Sequence, residues 1–194
     1  MKQSLLVLLA LPLAGCISFG AKPPPSLLTL NAAAPVAVGA TQSSAGTRSI
    51  VVQVPSVPAV LATVRVPVMA TPTTIAYIKD AAWSEPPARL FARLLADTVT
   101  TRAGMVVVSG VQSISDPSST LAGELRMFGV DAAGSTAVVT YDASLVRAGQ
   151  TAVEKRRFEA RAPVAAIDGT SAGVALNQAA NQVAAEVADW VRSK

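Results

Sequence analysis

The sequence predicts an α+β fold: a two-layer domain in which a mixed, mostly antiparallel sheet carries two helices on one face. Three observations predict it. Two segments, around 84–104 and 171–191, repeat apolar residues at helical spacing. The segments before and between them are runs rich in β-branched residues, the composition of strands. Finally, two long runs, Thr136–Gly149 and Ala152–Ala165, meet at the short stretch "AGQT", a hairpin loop. A long antiparallel hairpin excludes a purely parallel, doubly wound sheet.

The elements follow in order. Ile50–Val54, "IVVQV", is a β-branched strand that "PSVP" stops. Thr63–Met69 alternates, but Pro67 has no N–H to give a ladder, which makes it an edge strand or extended segment and leaves an edge for a second copy to pair with. Thr73–Ile78 is a third strand, and "KDAAW" leads into the first helix. In that helix Ser84 is the expected N-cap and Glu85 lies in the first turn. Pro86 and Pro87 sit early, where a missing N–H costs little. Leu90, Phe91, Leu94, Leu95, Thr98 and Val99 form its apolar stripe, and Gly104 is its C-terminal stop. "MVVVS" (Met105–Ser109) is a strand, and "DPSS" a turn. Thr120–Asp131 alternates, with Leu121, Gly123, Leu125, Met127 and Gly129 on one face and Ala122, Glu124, Arg126 and Phe128 on the other. After the hairpin, the second helix runs from about Ser171 to Val191. Leu176, Ala180, Val183, Val187 and Trp190 form its stripe, and Asn177, Gln178, Asn181, Gln182, Glu186 and Asp189 its wet face.

The N-terminus sets the compartment. Met1-Lys2, an apolar run from Leu5 to Leu13 broken by Pro12, and small Ala14 and Gly15 describe a secretory signal peptide, too short to span a bilayer. "LAGC" resembles the bacterial lipobox. That resemblance implies cleavage before Cys16, the only cysteine of the 194 residues, and acylation of its sulfur and amino group. Two or more chains give the stable anchoring that one does not. An ordinary signal peptide beside an incidental cysteine is the alternative, but it would leave an exposed thiol in an exported protein. Residues 1–15 are thus the signal, and 16–49 an acylated N-terminus and flexible Pro/Ala/Ser-rich tether with a short apolar island at Leu27–Leu30. Residues 50–194 are the folded domain.

Composition narrows the chemistry. The chain has 16 Lys+Arg, 12 Asp+Glu and no histidine, for a net charge of +4. Without histidine, Ser-His-Asp and Cys-His nucleophile systems are excluded, and no imidazole or free thiolate remains for zinc, copper or haem. We therefore expect no metal, no cofactor and no catalytic residues. A Ser–Lys dyad is the remaining nucleophile scheme, and Lys22, Lys79, Lys155 and Lys194 lie in no recognised motif for it. Carboxylate pairs for sugar cleavage stay open. Basic residues are scattered apart from Lys155-Arg156-Arg157, which reads either as a lipid-headgroup contact or as a solvated strand face. No aromatic interleaving points to nucleic acid. Trp83, at the entrance to the first helix, is a candidate partner contact, although a tryptophan at such a position is more often core.

The ordered set of a lipobox cysteine, Pro-rich tether, "LLTL" island, "VVQVPSVPAVLATVRVPVM", "AAWSEPPARLFARLLADTV", long hairpin and terminal helix resembles the ABC-type transport auxiliary lipoprotein family, over residues 27–191. Trp83 with Pro86 or Pro87 opening the helix, and Val54-Pro55 after the first strand, carry most of the likeness. The sequence departs from the family at Val60-Leu61-Ala62-Thr63, where a Tyr-Leu-Asp-Arg-like string is usual, and at Leu27–Leu30, where the usual start is Tyr-Tyr-x-Leu. The resemblance implies a non-enzymatic accessory of the paraquat-inducible type, partner of a mammalian-cell-entry-type lipid-transfer protein and its ABC permease and ATPase, with phospholipid a candidate ligand. It implies a periplasmic domain anchored in the inner leaflet of the outer membrane. Ile17 agrees, since the aspartate that retains lipoproteins in the inner membrane is absent there. The alternative is a lipoprotein adaptor for outer-membrane assembly of lipopolysaccharide or barrel proteins.

Overall fold

The computed structural model describes residues 26–108 and 117–193. Seven strands form one open mixed sheet, with two helices packed on one face, as the sequence predicts. The strands are β1 (Ser49–Val52), β2 (Arg65–Thr71), β3 (Thr74–Ala82), β4 (Val106–Val108), β5 (Ser119–Asp131), β6 (Thr136–Arg147) and β7 (Val153–Pro163). The helices are α1 (Pro87–Thr98) and α2 (Gly169–Arg192).

β5 organises the sheet. Along one edge it pairs with β6 for its whole length, and β6 pairs with β7 in a register running from Thr136↔Pro163 to Val146↔Val153. Two strands share its other edge. β1 lies parallel to its start (Ile50↔Ser119) and β2 parallel to its end (Val68↔Val130). Between them Ser56 bridges it, donating its N–H to Gly123 O and accepting the Leu125 N–H. β3 lies antiparallel outside β2, and β4 parallel outside β1. The antiparallel registers are the long ones, and each parallel register covers two or three residue pairs.

Four local expectations change. Pro67 stands on an internal strand, since β3 and not β2 forms that edge. Proline is tolerated because the β2–β3 register shifts between Arg65 and Pro67, and pairing with β5 begins at Val68. Gly129 completes the fit, because a Cβ there would lie 2.5 Å from Pro67 O. No pairing edge for a second copy therefore lies at Pro67.

The faces of β5 change parity midway. Leu125 pairs with Tyr141 and Met127 with Thr140, so Arg126 is a bulge residue. Leu121 and Leu125 point into the core before it, and Phe128 and Val130 after it; Phe128 is fully buried, against expectation. Strict alternation cannot foresee such an inserted residue.

Ser84 is not the N-cap of α1. That position is Pro86, with no side-chain cap, and Glu85 lies outside the first turn and pairs with Arg93 at 2.6 Å. β3 runs on to Ala82, taking up most of the expected lead-in, with Asp80 at φ 54°. The helix stripes are buried as expected, and α1 continues through a wide turn, Val99–Ala103, to a left-handed Gly104. α2 is capped by Asp168, which accepts the Ser171 N–H at 2.8 Å.

Finally, residues 28–34, expected as tether, are fastened to the domain. The Leu28 N–H donates to Ala82 O and Leu28 O accepts the Ser84 N–H, both at 2.8 Å. The Asn31 N–H donates to Asn177 Oδ1, the Ala33 N–H to Asn181 Oδ1 at 2.7 Å, and Asn181 Nδ2 returns a bond to Asn31 O at 2.9 Å. Thr101 Oγ1 donates to Ala34 O. Leu28, Leu30 and Ala32 pack against the core. The polar face of α2 thus holds an incoming segment of chain.

Candidate interaction surfaces

The core beneath the surfaces is aromatic at its centre. Trp83 meets Phe128 edge-on at 5.4 Å, Phe91 meets Phe128 at 6.4 Å, and Phe91 meets Tyr141 at 5.3 Å. Trp83 is 1% exposed and its Nε1 has no hydrogen-bond partner. Its ring is occupied by the fold, and a partner could reach it only by opening that packing. Tyr141 donates its hydroxyl to Ala122 O at 2.9 Å, and burial pushes its pKa far above the tyrosine range. Cys16 lies outside the described residues.

The face of the sheet away from the helices is laced with ion pairs. Arg157 grips Asp142 with two bonds, at 2.6 and 2.7 Å, and Arg126 approaches the same carboxylate at 3.7 Å. The Arg157 guanidinium holds the Asp142 carboxyl below the usual carboxylate range. Arg161 pairs with Glu159 at 3.0 Å and Asp131 at 3.6 Å. Lys155, Arg156 and Arg157 line one hollow together with Glu124 and Asp142, while alternation turns the Arg156 guanidinium over Phe158, 4.9 Å from its centroid. Beside the lattice, Val60, Pro67, Met69, Ile75, Met127 and Val138 floor a shallow hollow of about 340 Å³, rimmed by Arg126 and Arg161. β-Bulge parity places Met127 there, so the alternation of β5 could not have shown this hollow.

The helix layer has its own pairs. Arg93 lowers the pKa of Glu85, and Arg102 that of Asp189, which it binds at 2.9 and 2.7 Å. The Ser171 amide lowers that of Asp168. Among the described residues no group of His, Cys, Asp and Glu is placed to hold a metal ion, and no helix is long and apolar enough to cross a membrane.

Against known families, the model of the ABC-type transport auxiliary lipoprotein component matches residues 28–188, beginning at the residue that bridges to Trp83. The chain belongs to that family. Two solved structures share the fold of this auxiliary lipoprotein. One is the crystal structure of protein XCC0632 from Xanthomonas campestris, of the DUF330 family, at TM-score 0.67 and 22% identity, covering 89% of this chain and 94% of that one. The other is an uncharacterized protein at TM-score 0.65 and 19% identity, covering 74% and 92%. Comparison with curated proteins gives no match. The protein is therefore an auxiliary component of an ABC-type transport system, of a lipoprotein family held at a membrane of the cell envelope.

Proposed function

We propose that this auxiliary lipoprotein is a non-enzymatic, periplasmic component of a mammalian-cell-entry-type intermembrane lipid transport system. Acylated Cys16 anchors it in the inner leaflet of the outer membrane, where it docks or positions the transfer protein. The family match over residues 28–188 carries this reading. The family's description as an auxiliary transport component supports the non-enzymatic part of it.

The test is a pull-down of the intact acylated protein from envelopes, beside Cys16→Ser. Co-recovery of a mammalian-cell-entry-type protein or an ABC permease, weakened without the anchor, is the expected result. Recovery of an outer-membrane barrel in their place would overturn it in favour of the assembly adaptor.

A further inference from the structure

We infer that the end of the domain carrying the start of α2 rests on the lipid surface, through Leu27, Ile167 and Val174, so that the domain sits on the bilayer instead of standing away from it. This rests on the reading of Cys16 as the anchor. Single exposed apolar residues are ordinary. These three differ by where they lie. Leu27 is 56% exposed, Ile167 47% and Val174 69%. The docked segment places their backbones at one end of the domain: the Leu28 side chain abuts Gly173, where a Cβ would lie 2.9 Å from Leu28 Cδ2, and Leu27 and Val174 are the exposed chain neighbours of these two. Ile167 precedes the Asp168 cap of the same helix, and Gly169 lies against Ala81, next to the Ala82 carbonyl that holds Leu28. The Asp168 carboxylate is engaged by the Ser171 amide and hydroxyl.

Chain length then selects this end over the other. The only comparable paired apolar exposure in β6 and β7 is Val146 with its cross-strand partner Val153, at the far end of the hairpin. From Thr136 to Val146, ten residues of β6, is about 33 Å. From Cys16 to Leu27, eleven residue steps, the chain spans at most about 38 Å. The hairpin end could touch the bilayer only with that connection drawn nearly taut, or with the domain on its side. The end with Leu27, Ile167 and Val174 reaches it with the connection slack, and apolar side chains sink readily into the headgroup boundary.

Acylation of Cys16 leaves the mature chain without a thiol, which permits single-cysteine labelling. Val174→Cys, Ile167→Cys and Val153→Cys are each labelled with a thiol-reactive fluorophore on the full acylated chain. The proteins are then placed on vesicles of phosphatidylethanolamine and phosphatidylglycerol carrying a nitroxide-headgroup lipid. Loss of fluorescence at positions 174 and 167, with none at 153, is expected. Quenching at all three, at 153 alone, or at none in a protein that floats with the vesicles overturns the orientation and leaves the anchor intact. An unmutated protein that takes the label, or that fails to float, overturns the anchor itself and the orientation with it.

Discussion

Asn181→Ala should loosen the docked segment more than it weakens the domain. Asn181 gives that segment two bonds, one accepted from the Ala33 N–H and one donated to Asn31 O. Its remaining bond, to Asn177 O, stays within α2. A solvent-accessible neutral hydrogen bond contributes roughly 0.5–1 kcal/mol net, so docking should weaken by about 1–2 kcal/mol. Alanine restores roughly 0.5 kcal/mol of helix propensity, which enters global stability but is shared by the docked and undocked states. The local opening is therefore the larger effect. Hydrogen exchange followed by mass spectrometry should show amides of residues 31–34 exchanging between about fivefold and thirtyfold faster. The core strands should barely change. Gln178→Ala, an exposed neighbour on the same helix, is the control and should leave the segment alone. Asn181→Asp keeps the acceptor for Ala33 but sets a carboxylate against Asn31 O, so it should lie between. Unchanged exchange in Asn181→Ala, or wild-type amides that already exchange at the unprotected rate, would refute the docking.

Three further outcomes follow from the core and the ion pairs. Trp83→Ala should cost about 3–5 kcal/mol by urea unfolding, while Trp83→Phe should cost clearly less, because the indole N–H makes no hydrogen bond that phenylalanine would forfeit. Tyr141 is a buried acid whose pKa is raised on folding, so its contribution is complete below the unfolded value near 10 and is lost as pH rises past it. Tyr141→Phe should flatten the alkaline limb of a stability–pH curve. Asp142, Asp168, Asp189 and Glu85 have lowered values, so their contribution is present above the unfolded carboxylate values near 4 and is lost as pH falls through the lower folded ones. Arg157→Ala should shrink that acid limb; an unchanged limb would mean that the Asp142 pair contributes nothing in solution.

What the sequence discloses and what it hides divide along physical lines. The stripes of both helices, the long β6–β7 hairpin and the Gly104 stop were legible because each is a periodic or steric signal within one segment. The β5 bulge was not, because Arg126 changes the pairing without changing the local composition. Pro67 misled for a related reason: its tolerance depends on Gly129, sixty-two residues away. Ser84 has the right chemistry for a cap, but its N–H bonds Leu28 O, and the chain enters α1 through two prolines. The docking of residues 28–34 was hidden too, since Asn177 and Asn181 read as ordinary wet-face residues until their partners are seen. Alternation also explains why the middle one of three consecutive basic residues, Arg156, turns over Phe158.

The attachment at Leu28 decides how the molecule would bear mechanical load. A pull on the chain at residue 26 enters the fold through two backbone bonds, to Ala82 and Ser84, which flank the buried Trp83. The bridge between Leu28 and Trp83 is parallel, and the Leu28 side chain is seated against Gly173. Tension is thus handed to the sheet and to α2 at once, ahead of the twenty or so residues that lead to β1. Residues 35–48 are bypassed, and force applied at residue 26 is borne by the core while that loop stays slack.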